Sequence, residues 1–248
     1  MTERIFCVPE NQPALLWATD ELRRMGQTVT ETPDPTVTHL LLSAPCKTPD
    51  APLYDLLQSL PNSITIIGGS LNRPMLAPYR RLDLLQDETY LWKNAAITAQ
   101  VAVTLAAKEL PVTWRDTNAM ILGWGRIGQC LARDLTALGA HVTVAARKEV
   151  HRAQIEAFGH TALPIQGLSY QLSRCRVLFN TVPAPVLTQQ QLKLCRPDCI
   201  KLELASSDGM EGSDILTARG LPGKFAPETS GKLIAATALR LCAGEVIA

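Results

Sequence analysis

Three glycines and two cations are the residues whose spacing most plainly points to chemistry. In Gly123-Trp124-Gly125-Arg126-Ile127-Gly128 they stand at the first, third and sixth positions of the turn. Gly123 permits a tight turn, Gly125 lets backbone amides approach a pyrophosphate, and Gly128 lets a helix pack closely on a strand. A helix opening here adds unpaired N–H groups and the positive end of its dipole, which together attract phosphate. Trp124, Arg126 and Ile127 complete the turn and join the glycines as candidate cofactor contacts. About twenty residues past such a turn, an NAD site carries an acid for the ribose hydroxyls. Here that position falls on Ala146, followed by Arg147 and Lys148. Loss of the anion and gain of two cations suits a 2′-phosphate, because a guanidinium grips phosphate through paired charge-assisted hydrogen bonds. The expectation is NADP in preference to NAD.

The elements that must position these groups lie on either side. Ala119, Met120, Ile121 and Leu122 form an apolar run that reads as a buried parallel strand. Ile127, Leu131, Leu135 and Leu138 then recur at helical spacing, Gly139 ends the helix, and residues 141–145 supply a second strand. Further strands are expected at 160–163, 177–180 and 199–205, with helices at 149–158, at 167–173 and, capped by Thr188, at 189–194. In such a sheet ligands bind beyond the C-terminal ends of the strands. Thr181, Val182 and Pro183 are therefore candidates to pack on a nicotinamide ring, and Ser206 and Ser207 candidates to meet substrate.

Residues 1–86 read as a smaller α/β unit of strands alternating with helices, including a helix at 13–25 with Leu15, Leu16, Ala18 and Leu22 on its apolar side. Residues 87–111 read as a long helix with Asp87 as N-cap and Pro111 closing it. At ~1.5 Å per residue it is long enough to bridge two domains. The expected architecture is thus α/β: a Rossmann-type doubly wound parallel sheet at 112–228, preceded by a flavodoxin-like domain and joined to it by the long helix. A C-terminal helix at 229–248 is expected to pack back between the domains. The stretch before it, 219–231, is dense in Gly and Pro, brings Lys224 near, and delivers Thr229 or Ser230 to the cap of a helix running to Val246.

A length of 248 residues, 46% hydrophobic and 19% charged, with a formal net charge of +1, describes an ordinary globule. It offers no electrostatic argument for nucleic acid or an anionic membrane. No apolar run reaches the ~18 residues of a membrane span, and the N-terminal residues lack a signal-peptide core. The seven cysteines, an odd number without nearby histidine partners, read as buried structural thiols of a reducing cytoplasm, with no metal implied.

Four stretches together resemble the A subunits of the bacterial dipicolinate synthases, whose nucleotide domain is shared with the D-2-hydroxyacid dehydrogenases. Asn94-Ala95-Ala96-Ile97-Thr98-Ala99-Gln100 is similar to that family's bridging-helix motif, with Gln100 where Glu is expected. The glycine turn with Ala145-Ala146-Arg147, the Asn180-Thr181-Val182-Pro183 loop, and Gly220 to Gly223 with Ala226 to Gly231 complete the resemblance. It covers the chain from about residue 87 onward. The chain departs from the pattern at Ser207-Asp208-Gly209-Met210, where a Pro-Gly-Gly-like run is usual. The resemblance implies NADP-dependent oxidation of dihydrodipicolinate to dipicolinate, a pyridine dicarboxylate of bacterial spores. It also implies a homodimer and a flavoprotein-like partner subunit. Asn94, Ser206, Ser207, Lys224, Thr229 and Ser230 are the candidates for holding the dicarboxylate, and no general base stands out. Two other readings remain: a D-2-hydroxyacid dehydrogenase-like enzyme, disfavoured because no histidine follows His160, and a nucleotide-binding or sensing module without catalysis.

Overall fold

The computed structural model describes residues 4–244. The chain divides into two compact units, one formed by residues up to Asn94 together with those from Pro222 onward, the other by Ala95–Leu221.

The first unit runs β1 (Ile5–Cys7), α1 (Pro13–Arg24), β2 (Thr28–Thr30), β3 (His39–Leu41), α2 (Asp50–Gln58), β4 (Thr65–Gly68) and β5 (Arg80–Asp83). All its strand pairs are parallel, in the order β2-β1-β3-β4-β5, which is the flavodoxin-like order. Side chains alternate across a strand, so neighbours such as Leu40 and Leu41 or Ile66 and Ile67 serve opposite faces. Leu41 and Ile67 join Leu15, Ala18 and Leu22 of α1 in one core, while Leu40 and Ile66 join Leu53 and Leu57 of α2 in another. Pro13 opens α1 with its φ already helical, and Gly26 at φ +79° ends it. Leu16, expected on the apolar side, is 46% exposed, because the buried stripe is set by Leu15, Ala18 and Leu22.

The long helix α3 (Glu88–Glu109) starts where the Asp87 carboxylate accepts the Tyr90 N–H at 2.7 Å. It runs through the division after Asn94, with Ala99, Ala102 and Ala106 fully buried. The second unit follows: β6 (Asn118–Leu122), α4 (Arg126–Ala137), β7 (His141–Ala145), α5 (Glu149–Ala157), β8 (Thr161–Leu163), α6 (Ser169–Leu172), β9 (Val177–Asn180), α7 (Gln189–Leu192), β10 (Ile200–Glu203) and β11 (Leu216–Thr217). Its strands are all parallel in the order β8-β7-β6-β9-β10-β11. Numbered within the unit this is 3-2-1-4-5-6, the Rossmann order, and the strand order reverses between β6 and β9. Thr188 caps α7 in a reciprocal capping box with Gln191.

The C-terminal stretch differs from its Gly- and Pro-rich reading. Residues Leu221–Phe225 form the short helix α8, and α9 (Pro227–Gly244) begins three residues earlier than a Thr229 cap requires. Pro227, which needs no N–H partner, opens α9, so Thr229 and Ser230 lie inside the helix. The expected end at Val246 lies outside the described residues. In the first unit α9 packs on α1, with Gly231 against the Ala14 and Ala18 backbone and Ile234, Ala235 and Ala238 in the shared core.

Candidate functional site

The switch in strand order places the end of β6 beside the end of β9, and the glycine turn rises from that junction. Gly123 takes φ +102°, and a Cβ there would stand 2.5 Å from Thr181 Oγ1 and 2.9 Å from Val182 Cγ2. Thr181 holds this approach closed, donating its hydroxyl to Leu122 O at 2.8 Å and its N–H to the same oxygen at 3.0 Å. A Cβ on Gly128 would overlap the Gly123 carbonyl oxygen, so the first turn of α4 rests directly on the end of β6.

Gly125 is different. Its φ of −79° and ψ of −174° suit any residue, yet a Cβ there meets nothing within 4 Å. It is the N-cap of α4 and no side chain caps that helix. Arg126 and Ile127 are half-buried beside it. An open cradle before an uncapped helix N-terminus is what a pyrophosphate requires. Trp124 packs edge-on to His160 and tilted to Phe158, and its Nε1 is buried without a hydrogen-bond partner. Buried donors rarely stay unpaired, so that N–H is a further available contact.

At the end of β7, Ala146 is buried and its N–H continues the pairing to Leu163 O at 2.9 Å. Arg147 and Lys148 follow it and are exposed. The helical turn of α5 then returns Arg152, whose guanidinium donates to Ala146 O at 3.2 Å and Arg147 O at 2.9 Å. A third cation thus joins Arg147 and Lys148, five residues from Arg147 in sequence and brought back by one turn of helix.

Two further residues escaped the sequence reading. Glu203, the last residue of β10, is 1% exposed. Its carboxylate accepts Asn180 Nδ2 at 2.8 and 3.0 Å, the Ala205 N–H at 3.1 Å and the Gly209 N–H at 3.0 Å. Arg219 donates to Ala205 O at 2.8 Å and pairs with Asp208 at 2.5 Å, placing a guanidinium on the altered loop. A strand-end Glu and a lone Arg carry no local pattern, so no spacing signal announces either.

The proposed substrate contacts are divided between units: Ser206 and Ser207 are exposed in the second, and Asn94, Lys224, Thr229 and Ser230 belong to the first. Ser230 is buried, whereas Lys224 and Thr229 are exposed. All seven cysteines are free thiols, and burial pushes Cys7 up to about 11, while Cys195 and Cys199 are raised first by a hydrogen bond to a neighbouring thiol (Cys199 and Cys175 respectively) and further by burial. His39, stacked on Phe6, is pushed down to about 4 by burial and then by the charges of Arg4 and Arg80.

Residues 76–204 match the family model described as D-isomer specific 2-hydroxyacid dehydrogenase, NAD binding domain. The chain belongs to this family. That membership assigns the glycine turn to a nicotinamide dinucleotide-binding domain. The chain is 32% identical over 158 residues to the dipicolinate synthase A subunit of Bacillus subtilis (strain 168), covering 60% of this chain and 53% of that protein. The match thus spans about half the length of that curated relative. In fold it is similar to the crystal structure of the same synthase component from Bacillus subtilis, with a TM-score of 0.83 at 24% identity over 98% of this chain and 97% of that one. The corresponding structure from Bacillus halodurans gives a TM-score of 0.79 at 23% identity over 97% and 98%. No helix among the described residues is long and apolar enough to cross a membrane.

Proposed function

We propose that this member of the dehydrogenase family is an NADP-dependent oxidoreductase acting on a small cyclic dicarboxylate, in the manner of a dipicolinate synthase. The observation that carries the reading is the open cradle at Gly125 before the uncapped N-terminus of α4, at the point where strand order reverses. The residues present fit a dinucleotide: backbone N–H groups of the 123–128 turn hold the pyrophosphate, and Trp124 Nε1 adds a donor. Arg147, Lys148 and Arg152 hold the 2′-phosphate, where the buried Ala146 offers no acid to repel it. Thr181, Val182 and Pro183 orient the nicotinamide end.

When bound, the cofactor would supply the hydride acceptor for dehydrogenation of dihydrodipicolinate. The chain's own part is binding and orientation. Ser206 and Ser207, with Arg219 behind their loop, offer hydroxyls and a cation for carboxylates. Asn94, Lys224, Thr229 and Ser230 are the corresponding candidates of the first unit, with burial making Ser230 the poorest donor. No residue is assigned as general base. A homodimer in the cytoplasm and a flavoprotein-like partner subunit belong to the same reading.

One observation favours a second reading, a dinucleotide-binding module without turnover: Asp208 puts an acid into the loop that would receive a dicarboxylate. The test mixes the protein with NADP⁺ and dihydrodipicolinate, with and without the partner subunit, and follows nicotinamide absorbance. Reduction of NADP⁺ supports the enzyme. Tight NADP⁺ binding without reduction under either pairing selects the module.

A further inference from the structure

Burying a carboxylate without a counter-charge is expensive, and Glu203 is buried with no ion pair among the described residues. The N–H groups that offset the cost come from two different places. Asn180 Nδ2 leads into the loop after β9, and the Ala205 and Gly209 N–H groups belong to the loop after β10. We infer that Glu203, acting through Asn180, is a positioning residue that couples the 181–183 loop to the 205–209 loop, so that a dinucleotide held against the first orders the second.

The contacts on either side complete the linkage. Asn180 Oδ1 accepts the Val182 N–H at 3.0 Å, and its amide also donates to Val182 O at 3.1 Å, so one side chain sets both Val182 and Glu203. Thr181 is locked to Leu122 O at the foot of the glycine turn. Beyond Glu203, Gly209 O accepts the Val186 and Leu187 N–H groups at 2.7 and 3.1 Å. A Cβ on Gly209 would overlap Asn180 Nδ2 and stand 2.8 Å from Ala184 O, so the two loops already touch. The coupling rests on the reading that the dinucleotide sits against Thr181, Val182 and Pro183.

Hydrogen exchange separates coupling from simple structural support, because it reads the response to ligand rather than fold alone. Exchange of the Ala205 and Gly209 amides is measured in the wild type, in Glu203→Gln, and in the swap Asn180→Asp with Glu203→Gln, each with and without saturating NADP⁺ or NAD⁺. In the wild type, dinucleotide slows these amides. In Glu203→Gln, free exchange rises by about tenfold or more, as for loss of a hydrogen bond to a charged group. Dinucleotide still binds, but the slowing is lost. The swap, which faces one carboxylate with one amide again, recovers part of it. Should Glu203→Gln fail to fold, Glu203→Asp keeps the charge one methylene short and loses most of the slowing. Binding with undiminished slowing in the folded variant overturns the coupling. Binding of neither dinucleotide to the wild type overturns the functional reading, and the coupling with it.

Discussion

The three glycines of the 123–128 turn make one sharp prediction, because the structure assigns them different work. At Gly125 a side chain enters open space, and backbone at φ −79° accepts Val without strain. Gly125→Val therefore changes stability by no more than about 1 kcal/mol, the scale of a glycine replaced at a compatible conformation. For a chain of this size that is a Tm change within about 4 °C. The same side chain occupies the cradle in front of the uncapped helix, so dinucleotide affinity falls by at least ~100-fold, as when charge-assisted hydrogen bonds are lost. At Gly128 the added methyl overlaps the Gly123 carbonyl oxygen and stands 3.2 Å from its carbon. Backbone cannot swing aside as a flexible side chain can, so α4 must lift from β6. Overpacking of this kind costs about 1–3 kcal/mol, and Gly128→Ala lowers Tm by roughly 2–12 °C. Thermal melts and dinucleotide titrations on both variants form the assay. Undiminished affinity in a folded Gly125→Val protein refutes the placement of the pyrophosphate. An unchanged Tm in Gly128→Ala refutes the steric account of the turn.

Three other outcomes are expected. Arg152→Gln raises the Kd for NADP⁺ by about tenfold or more while leaving that for NAD⁺ within about twofold, and equal effects on both cofactors in calorimetry would sink the 2′-phosphate assignment. His39, with its pKa pushed down from 6.5 to about 4, refuses a proton that the unfolded chain accepts. Stability is therefore full above about pH 6.5 and falls by up to ~3 kcal/mol toward pH 4. His39→Asn should remove that part of the slope in urea titrations, and an NMR midpoint for His39 near 6.5 would contradict it. Asp87→Ala removes both the Tyr90 cap and the 2.6 Å pair with Arg240, costing about 1–2 kcal/mol. A melt indistinguishable from wild type would show that neither contact matters to stability.

The glycine turn was legible in the sequence because everything that makes it is local. An apolar strand, three glycines and a helical stripe from Ile127 to Leu135 lie within one βαβ unit, and each obeys a spacing rule that holds without knowing the rest of the chain. The Thr188 cap and the Asp87 cap were legible for the same reason. Leu16 and the 221–225 helix were misread because near-equal local preferences were decided by what packed against them.

The sequence by itself thus determined two α/β units, a glycine turn between strand and helix, and the lack of an acid at Ala146. Only the tertiary structure decided which side chains gather around that turn. Asn180 and Glu203 lie 23 residues apart and meet because β9 and β10 are neighbours in register. Arg152 reaches the Ala146 carbonyl because α5 folds back over the end of β7. Such contacts follow from strand order and helix return, and no local spacing encodes them. The glycine turn could be read from composition and period, while the polar clamp beside it required the fold.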